Sequence, residues 1–192
     1  MIEFSQRITF YFITRTHKVS SIKCENAYSE TSLGHVVINY NANSAGAEQV
    51  AKECEELGVE TVCFGGSVAN DTDCVAMVKA AMDKWGRVDI LVNNAGTTKF
   101  VDHNNLDGLD AEDFLRIYGV NVIGCYQMTR AARAAMEAND EGGAVVKIAS
   151  TAAVTGIGSS IAYAASKGAM VTMTMSLARV LGPKIRMNAV CP

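Results

Sequence analysis

Three side chains in the last third of the chain have the types and spacing of an acid–base catalyst. Tyr163 and Lys167 are four residues apart, and Ser150 comes thirteen residues before the tyrosine, at the end of an apolar run. Residues i and i+4 share one face of a helix, so the lysine ammonium can favour ionisation of the phenol. A phenol, whose pKa is ordinarily about 10, then becomes a usable general acid or base near neutral pH. Such pairs also occur by chance on many helices, so the surrounding pattern must decide.

The segments around these residues are typical of an open α/β sheet. Residues 144–150 read as a buried strand that ends at Ser150, followed by a loop of small residues and the helix of Tyr163. Residues 88–92 predict a second apolar strand, which runs into the polar turn Asn93–Gly96. Parallel α/β sheets bind ligands at the carboxyl ends of their strands. We therefore expect the two strand ends to share one site.

From residue 35 onward, strand-like and helix-like segments alternate, which predicts a parallel sheet covered by helices. Strands are predicted at 35–40, 60–64, 88–92, 144–150 and 185–190, and helices at 44–57, 71–85, 109–138 and 163–181. In the second helix, Asp71 is the predicted cap, and the predicted buried face consists of Val75, Val78, Met82 and Trp85. Gly58, Gly86 and Gly182-Pro183 are predicted helix ends.

Composition restricts the class of partner. A chain of 192 residues with 49% hydrophobic content can bury one core, which predicts a single domain. The net charge of -3 gives no electrostatic reason to expect nucleic acid or an anionic membrane as partner, so a small molecule is expected. No run is long and apolar enough to span a bilayer, and the apolar residues 8–13 lack a signal-peptide core. We expect a cytoplasmic protein.

The six cysteines do not suggest a metal site. They form no C-x-x-C pair and no grouping with the histidines at 17, 35 and 103. Cys54, Cys63 and Cys74 are expected to be small buried apolar residues in a reducing compartment.

With these motifs in order, the chain resembles the classical short-chain dehydrogenase/reductases, near the 3-oxoacyl-[acyl-carrier-protein] reductases and the glucose dehydrogenases. The resemblance runs from about residue 34 to 192 and is carried by Asn93-Asn94-Ala95-Gly96, Asn121, Ser150, Tyr163 with Lys167, and residues 188–192. It implies a Rossmann-like, doubly wound parallel sheet in three α/β/α layers. Residues 1–192 would form a single domain, in which 1–33 are atypical and 34–192 match.

The resemblance also implies roles for the catalytic residues. Tyr163 would exchange a proton with the substrate oxygen while a nicotinamide exchanges a hydride with the carbon. Lys167 would lower the pKa of the tyrosine and bind the nicotinamide ribose, Ser150 would hold the substrate oxygen, and Asn121 would anchor a water that links Lys167 to solvent. The alternative is that Asn121 only kinks a helix, Ser150 is a strand-end hydroxyl and Lys167 is a solvated charge.

The cofactor implied is NAD(P)(H), with no metal. Asn94, Ala95 and Gly96 would border its adenosine side, and Ser67-Val68 stands where many members have Asp-Val against the adenine. The segment Asn39-Tyr40-Asn41, at the end of the second strand, has no acidic residue for a ribose 2′-hydroxyl and no arginine for a 2′-phosphate. Since no acid would repel the phosphate, we expect NADP(H) to be favoured over NAD(H).

The chain departs from the family pattern near its start. Its first 33 residues contain no glycine, whereas the family has Thr-Gly-x-x-x-Gly-x-Gly after the first strand. If residues 8–13 are that strand, Thr14 takes the place of the threonine, and Arg15, Val19 and Ser21 stand about where glycines belong. Residues 24–32 also lack the apolar stripe of a helix. Cofactor affinity should be weak; an altered reading frame, a misassigned exon and true divergence remain alternatives.

Further along, the run Thr155-Gly156-Ile157-Gly158 is interpreted as a substrate-side loop, not a phosphate loop, because it lies between Ser150 and Tyr163. The family also continues beyond the position of Pro192 with a segment that covers the substrate.

Two functions therefore stay open. The first is an NAD(P)(H)-dependent oxidoreductase that interconverts a ketone and a secondary alcohol, with 3-oxoacyl thioesters as candidate substrates. The second is a truncated, catalytically silent member acting as an interaction partner or a non-functional product. A homodimer or larger homo-oligomer that packs through the helices of Asn121 and Tyr163 is expected, unless those helix faces only cover the sheet.

Overall fold

Six parallel strands form one sheet in the part of the chain that the structure describes. The computed structural model describes residues 8–13, as backbone, and residues 34–192. Within these residues the strand order is β3-β2-β1-β4-β5-β6. The strands are β1 (Ile8–Ile13), β2 (His35–Tyr40), β3 (Thr61–Gly65), β4 (Ile90–Asn93), β5 (Gly143–Ile148) and β6 (Ile185–Val190). The predicted doubly wound α/β fold is confirmed, because strand order reverses at β1, which pairs with both β2 and β4.

Helices connect the strands, and most of them begin at a side-chain cap. They are α1 (Ser44–Glu56), α2 (Asp71–Trp85), α3 (Ala111–Tyr118), α4 (Cys125–Ala138), α5 (Ala152–Thr155) and α6 (Ile161–Leu181). A π-helical turn over Gly119–Gly124 joins α3 to α4. The capping side chains of Asn43, Asn70, Asp110 and Ser160 each accept a hydrogen bond from an amide in the first turn of α1, α2, α3 and α6 respectively.

Alternate residues of the strands pack on opposite faces of the sheet. Val36 and Ile38 of β2 pack with buried residues of α1. Val37, between them, belongs to a larger core with Leu91 of β4 and Val145 of β5, which is closed by buried residues of α2, α4 and α6. The period of two along a strand thus produces the two helical layers.

The structure corrects several predicted details. Asn70, not Asp71, caps α2. Val75 is half exposed, and Cys74, Met77, Val78 and Ala81 are the buried residues of that helix, because α2 packs on α4 as well as on the sheet. Cys63 is exposed, since β3 is the outermost strand on its side of the described sheet, whereas Cys54 and Cys74 are buried as predicted.

The predicted helix over 109–138 begins two residues later, at α3, and a π turn over Gly119–Gly124 interrupts it in the middle. The helix of Tyr163 begins two residues earlier than predicted, because Ser160 caps it. The predictions for Thr14, Arg15, Val19 and Ser21 and for residues 24–32 lie outside the described residues.

Candidate active site

A cleft opens at the carboxyl ends of the central strands. Its volume is about 500 Å³, and the loops after β2, β3 and β4 line it together with residues of α3 and the π turn. Five of the predicted cofactor residues line this cleft: Asn41, Ser67, Val68, Ala95 and Gly96. Asn94 precedes Ala95 in the same loop and is half-buried, but it is not among the described lining residues. Strand ends far apart in sequence therefore share one cavity.

The turn that carries Ser67 is held by two polar side chains. Asn39, 4% exposed at the end of β2, donates from Nδ2 to the carbonyl oxygens of Phe64 at 3.1 Å and Gly66 at 2.9 Å. Asp73 of α2 accepts from the Ser67 amide at 2.9 Å. These bonds fix the ends of β2 and β3 against each other and fix the position of Ser67 at the cleft wall.

Gly96 joins the cleft to the predicted catalytic residues. A Cβ atom at this position would lie 3.5 Å from Oδ1 of Asn121 and 3.8 Å from Nζ of Lys167. The loop after β4, the π turn and α6 therefore meet at one point. A ligand in the cleft that passes Gly96 comes within reach of the Asn121 and Lys167 side chains.

Asn121 is fully buried in the π turn and uses its side-chain amide on two neighbouring segments. Its Nδ2 donates to the Thr97 carbonyl at 3.0 Å and to Oγ of Ser166 at 2.9 Å, and its Oδ1 accepts from the Thr97 amide at 2.8 Å. Ser166 in turn donates to the Tyr163 carbonyl at 2.7 Å. The amide thus connects the loop after β4 to the first turns of α6.

Tyr163 and Lys167 lie one turn apart on α6, as their spacing predicts. Nζ of Lys167 is 5.5 Å from the centre of the tyrosine ring and donates to the Ile148 carbonyl at the end of β5, at 2.7 Å. Lys167 is 4% exposed, and burial lowers its pKa to about 8. Its amine can therefore gain and lose a proton near neutral pH.

Ser150 follows β5 by two residues, and its Oγ accepts from the Ala152 amide at 3.2 Å. The small-residue loop after α5 leads from this region to Tyr163. A Cβ atom on Gly158 would lie 3.2 Å from Cδ1 of the Tyr163 ring. Gly158, the last residue of the run 155–158, therefore lies beside the Tyr163 ring.

Two features of this region had no signal in the sequence. Lys99 and Arg116 line the cleft, and both donate to the carboxylate of Asp113, which lies fourteen residues after the lysine and three before the arginine. Lys147 of β5 is fully buried, and its Nζ has no hydrogen-bond partner among the described residues. Ion pairs between a loop and a helix, and a buried charge within an apolar strand, are set by tertiary packing and do not follow from local pattern.

In the part of the chain that the structure describes, no group of three or more His, Cys, Asp or Glu side chains is arranged to hold a metal ion. None of the helices described is both long and apolar enough to cross a membrane.

Comparison with known proteins places these motifs in a family. Residues 24–192 match the family model of short chain dehydrogenases. The chain is 41% identical over 150 residues to a Streptomyces violaceoruber protein assigned as ketoacyl reductase 2 of the granaticin polyketide synthase, a match that covers 78% of this chain and 60% of the relative. The chain spans about three fifths of the length of the first curated relatives it matches.

Solved structures agree. A Burkholderia xenovorans protein assigned to the short-chain dehydrogenase/reductases is 43% identical, with a TM-score of 0.80 over 83% of this chain and 66% of that one. The 3-ketoacyl-(acyl-carrier-protein) reductase of Brucella melitensis, solved with NADH, is 38% identical, with a TM-score of 0.73 over 83% of this chain and 64% of that one. The family match, the strand order and the order of the site motifs lead to one conclusion: the chain belongs to the short-chain dehydrogenase/reductase family.

Proposed function

We propose that the protein is an NAD(P)(H)-dependent oxidoreductase that interconverts a ketone and a secondary alcohol, with 3-oxoacyl thioesters as one substrate class. The observation that carries the proposal is the meeting of Gly96, Asn121 and Lys167 at the inner end of the cleft, one helical turn from Tyr163. Relatives described as ketoacyl reductases support the choice of a ketone as substrate.

In this proposal, Tyr163 transfers the proton. Its hydroxyl donates to the carbonyl oxygen during reduction and accepts from the alcohol during oxidation. Lys167, as an ammonium, stabilises the phenolate that forms. Ser150 holds the substrate oxygen beside the tyrosine. Asn121 holds the loop after β4 against the start of α6. Asn121 also anchors the water through which Lys167 exchanges protons with solvent.

The cleft fits a dinucleotide. Ser67, Val68 and Ala95 offer a wall of small side chains for the adenosine, Asn41 would stand at the ribose, and Gly96 leaves room for close approach of the ligand to the backbone. Asn94 borders the same side, and Tyr163 with Lys167 would hold the nicotinamide ribose. Bound cofactor would supply or accept the hydride.

We propose NADP(H) as the preferred form. Among the described residues that line the cleft, Lys99 and Arg116 carry charge and none is acidic. These described lining residues therefore include no carboxylate that would repel a 2′-phosphate or bind the ribose hydroxyl in the NAD-type contact.

Fluorescence titration with NADPH and NADH tests the proposal. We expect saturable binding of NADPH below millimolar concentration, weaker binding of NADH, and reduction of a 3-oxoacyl thioester by the complex. If neither nicotinamide binds at millimolar concentration, the protein is a silent member of the family, and its role as an interaction partner becomes the better account.

We further propose that the protein acts in the cytoplasm and pairs as a homodimer. The described outer faces of α3, the π turn and α4 expose Leu115, Ile123 and Tyr126, at 73%, 51% and 47% respectively. Apolar surface on adjoining helices is suited to pairing with a second copy. Sedimentation of the protein at micromolar concentration distinguishes a dimer from a monomer.

A further inference from the structure

A charged cluster lies on the wall of the cleft, apart from the residues of proton transfer. We name Lys99, Asp113 and Arg116 the Lys99 cluster. Nζ of Lys99 donates to Oδ2 of Asp113 at 2.5 Å, and Nη2 of Arg116 donates to Oδ1 at 3.3 Å. Because two cations share one carboxylate, the cluster carries one unit of positive charge in excess.

The carboxylate is the inner member of the cluster. The Asp113 side chain is 12% exposed, against 42% for Lys99 and 48% for Arg116. Asp113 also closes the capping box of α3 by accepting from the Asp110 amide. Lys99 holds the pKa of the Asp113 carboxyl below its ordinary range, so the carboxyl stays ionised. Lys99 and Arg116 line the cleft, and their excess charge therefore faces it.

The loop of the cluster is tied to the loop beside Tyr163. Thr98 Oγ1 and Ser159 Oγ share a hydrogen bond of 2.5 Å, and the Val101 amide donates to the Ser159 carbonyl at 2.9 Å. In sequence, Lys99 thus lies between Thr98 and Val101, which both form hydrogen bonds with Ser159. Gly158, next to Ser159, lies against the Tyr163 ring. The loop that carries Lys99 is therefore held against the loop beside Tyr163.

We propose that the Lys99 cluster is an anion subsite and that the preferred substrates are oxo acids and hydroxy acids, in which a carboxylate accompanies the reacting ketone or alcohol. This inference rests on the proposed function, because it concerns the ligand of the same site. A carboxylate gains hydrogen bonds and charge attraction from Lys99 and Arg116, whereas a neutral ester of the same acid does not.

Matched substrates test the subsite. Reduction rates are measured with NADPH for acetoacetate and levulinate and for their ethyl esters, using the full chain and the Lys99→Met variant. We expect Lys99→Met to lower the ratio of kcat/KM for the oxo acids to kcat/KM for the esters about tenfold, as for one lost charge-assisted hydrogen bond at a partly exposed site. Added salt should lower the oxo-acid rate of the parent and hardly affect that of the variant.

Two further variants serve as controls. Lys79→Met removes an exposed lysine on α2, which pairs with Asp83, and should leave every ratio unchanged. Asp113→Asn raises the excess charge of the cluster and should favour the oxo acids over the esters further than the parent does. Melting curves show whether Asp113→Asn keeps the fold despite loss of the capping box. If Asp113→Asn unfolds, the test rests on the oxo-acid to ester ratios of kcat/KM measured for Lys99→Met and Arg116→Met.

If Lys99→Met leaves the ratio of kcat/KM for the oxo acids to kcat/KM for the esters unchanged, the inference is overturned. It is also overturned by a variant that loses NADPH affinity and keeps the ratio, because the cluster would then serve a cofactor phosphate. If the parent reduces no ketone, the proposed function fails, and the subsite is tested separately by thermal shift. Levulinate should then raise the melting temperature of the parent but not of Lys99→Met, while ethyl levulinate raises neither; equal shifts of parent and variant overturn it.

Discussion

The side chain of Asn121 pairs with both backbone groups of Thr97, twenty-four residues earlier in the chain. It accepts from the Thr97 amide at 2.8 Å and donates to the Thr97 carbonyl at 3.0 Å. A side-chain amide has a donor and an acceptor side by side, so it can replace a neighbouring strand for one residue. This contact holds the loop after Gly96 against the π turn.

Replacing Asn121 by Asp tests this contact. A carboxylate still accepts from the Thr97 amide but cannot donate to the partly buried Thr97 carbonyl or to the fully buried Ser166 hydroxyl. We expect a loss of about 1–3 kcal/mol in the free energy of unfolding, the usual cost of an unsatisfied buried polar group, with weaker NADPH binding. Denaturant unfolding and fluorescence titration measure the two effects. Unchanged stability would show that the paired bonds contribute nothing.

Gly158 is predicted to be intolerant of a side chain. A Cβ atom there would lie 3.1 Å from that of Ala152 and 3.2 Å from Cδ1 of Tyr163, which is tighter than ordinary contact. Gly158→Val should therefore displace the Tyr163 ring and lower kcat for ketone reduction at least tenfold, on the scale of misplaced catalytic groups. NADPH affinity should stay close to that of the parent.

Gly119→Ala is the matched control for this substitution. Gly119 has helical dihedral angles, and a Cβ atom added there would meet no other atom of the described residues within 4 Å. Its replacement should keep kcat and raise stability by about 0.5–1 kcal/mol through reduced chain entropy. Equal kcat values for the Gly158→Val variant and the parent would mean that the ring does not depend on this contact.

Lys147 is predicted to lower the stability of the fold near neutral pH. Burial lowers the pKa of its amine from the ordinary 10.5, and the neighbouring Cys125 thiol offers no negative charge because burial raises its own pKa to about 11. As pH falls below 10.5, the unfolded chain takes up a proton that the folded state resists. The free energy of unfolding therefore decreases as pH decreases. Lys147→Met removes this penalty.

The free energy of unfolding of Lys147→Met should exceed that of the parent by about 1–3 kcal/mol at pH 7, the cost of a buried polar group without a partner. The difference should shrink as pH rises towards 10.5. Urea unfolding at several pH values measures it, with the exposed Lys79→Met as control. A parent more stable than the variant at pH 7 would contradict this assignment.

Lys167 should set the alkaline limb of the pH profile. Its pKa is lowered to about 8, chiefly by burial, so the ammonium that supports Tyr163 is present below pH 8 and is lost above it. The value of kcat/KM for ketone reduction should therefore fall as pH rises through about 8. In Lys167→Arg, where the cation persists, the limb should move to higher pH even if the overall rate is lower. If the alkaline limb of the kcat/KM profile lies at the same pH in both proteins, a group other than Lys167 is responsible for it.

Local pattern predicted the strands at 35–40 and 185–190 with their observed bounds, because residues 36–38 are an apolar run and residues 185–190 begin with alternating apolar and polar side chains. It also placed Gly86 correctly as the end of α2, where the left-handed conformation favours glycine. The same approach chose Asp71 as the cap of α2, because Asn70 and Asp71 are both good caps and sequence alone does not rank neighbours.

The site was predicted in part. Spacing along one helix predicts that Tyr163 and Lys167 share a face, and strand ends predict that Gly96 approaches them. The π turn around Asn121, the Lys99 cluster and the burial of Lys147 were not predicted. Each depends on which elements pack together, and hydrophobic periodicity carries no information about ion pairs between a loop and a helix.

Tyr163 is the residue that we propose moves the proton in a nicotinamide-dependent reaction. The most direct measurement compares ketone reduction by the parent and by Tyr163→Phe at saturating NADPH, with cofactor affinity measured on the same samples. The account predicts that kcat falls by about 10²–10⁴, the range for loss of a general acid, while NADPH still binds. A Tyr163→Phe variant that binds NADPH and keeps the rate of the parent would contradict it.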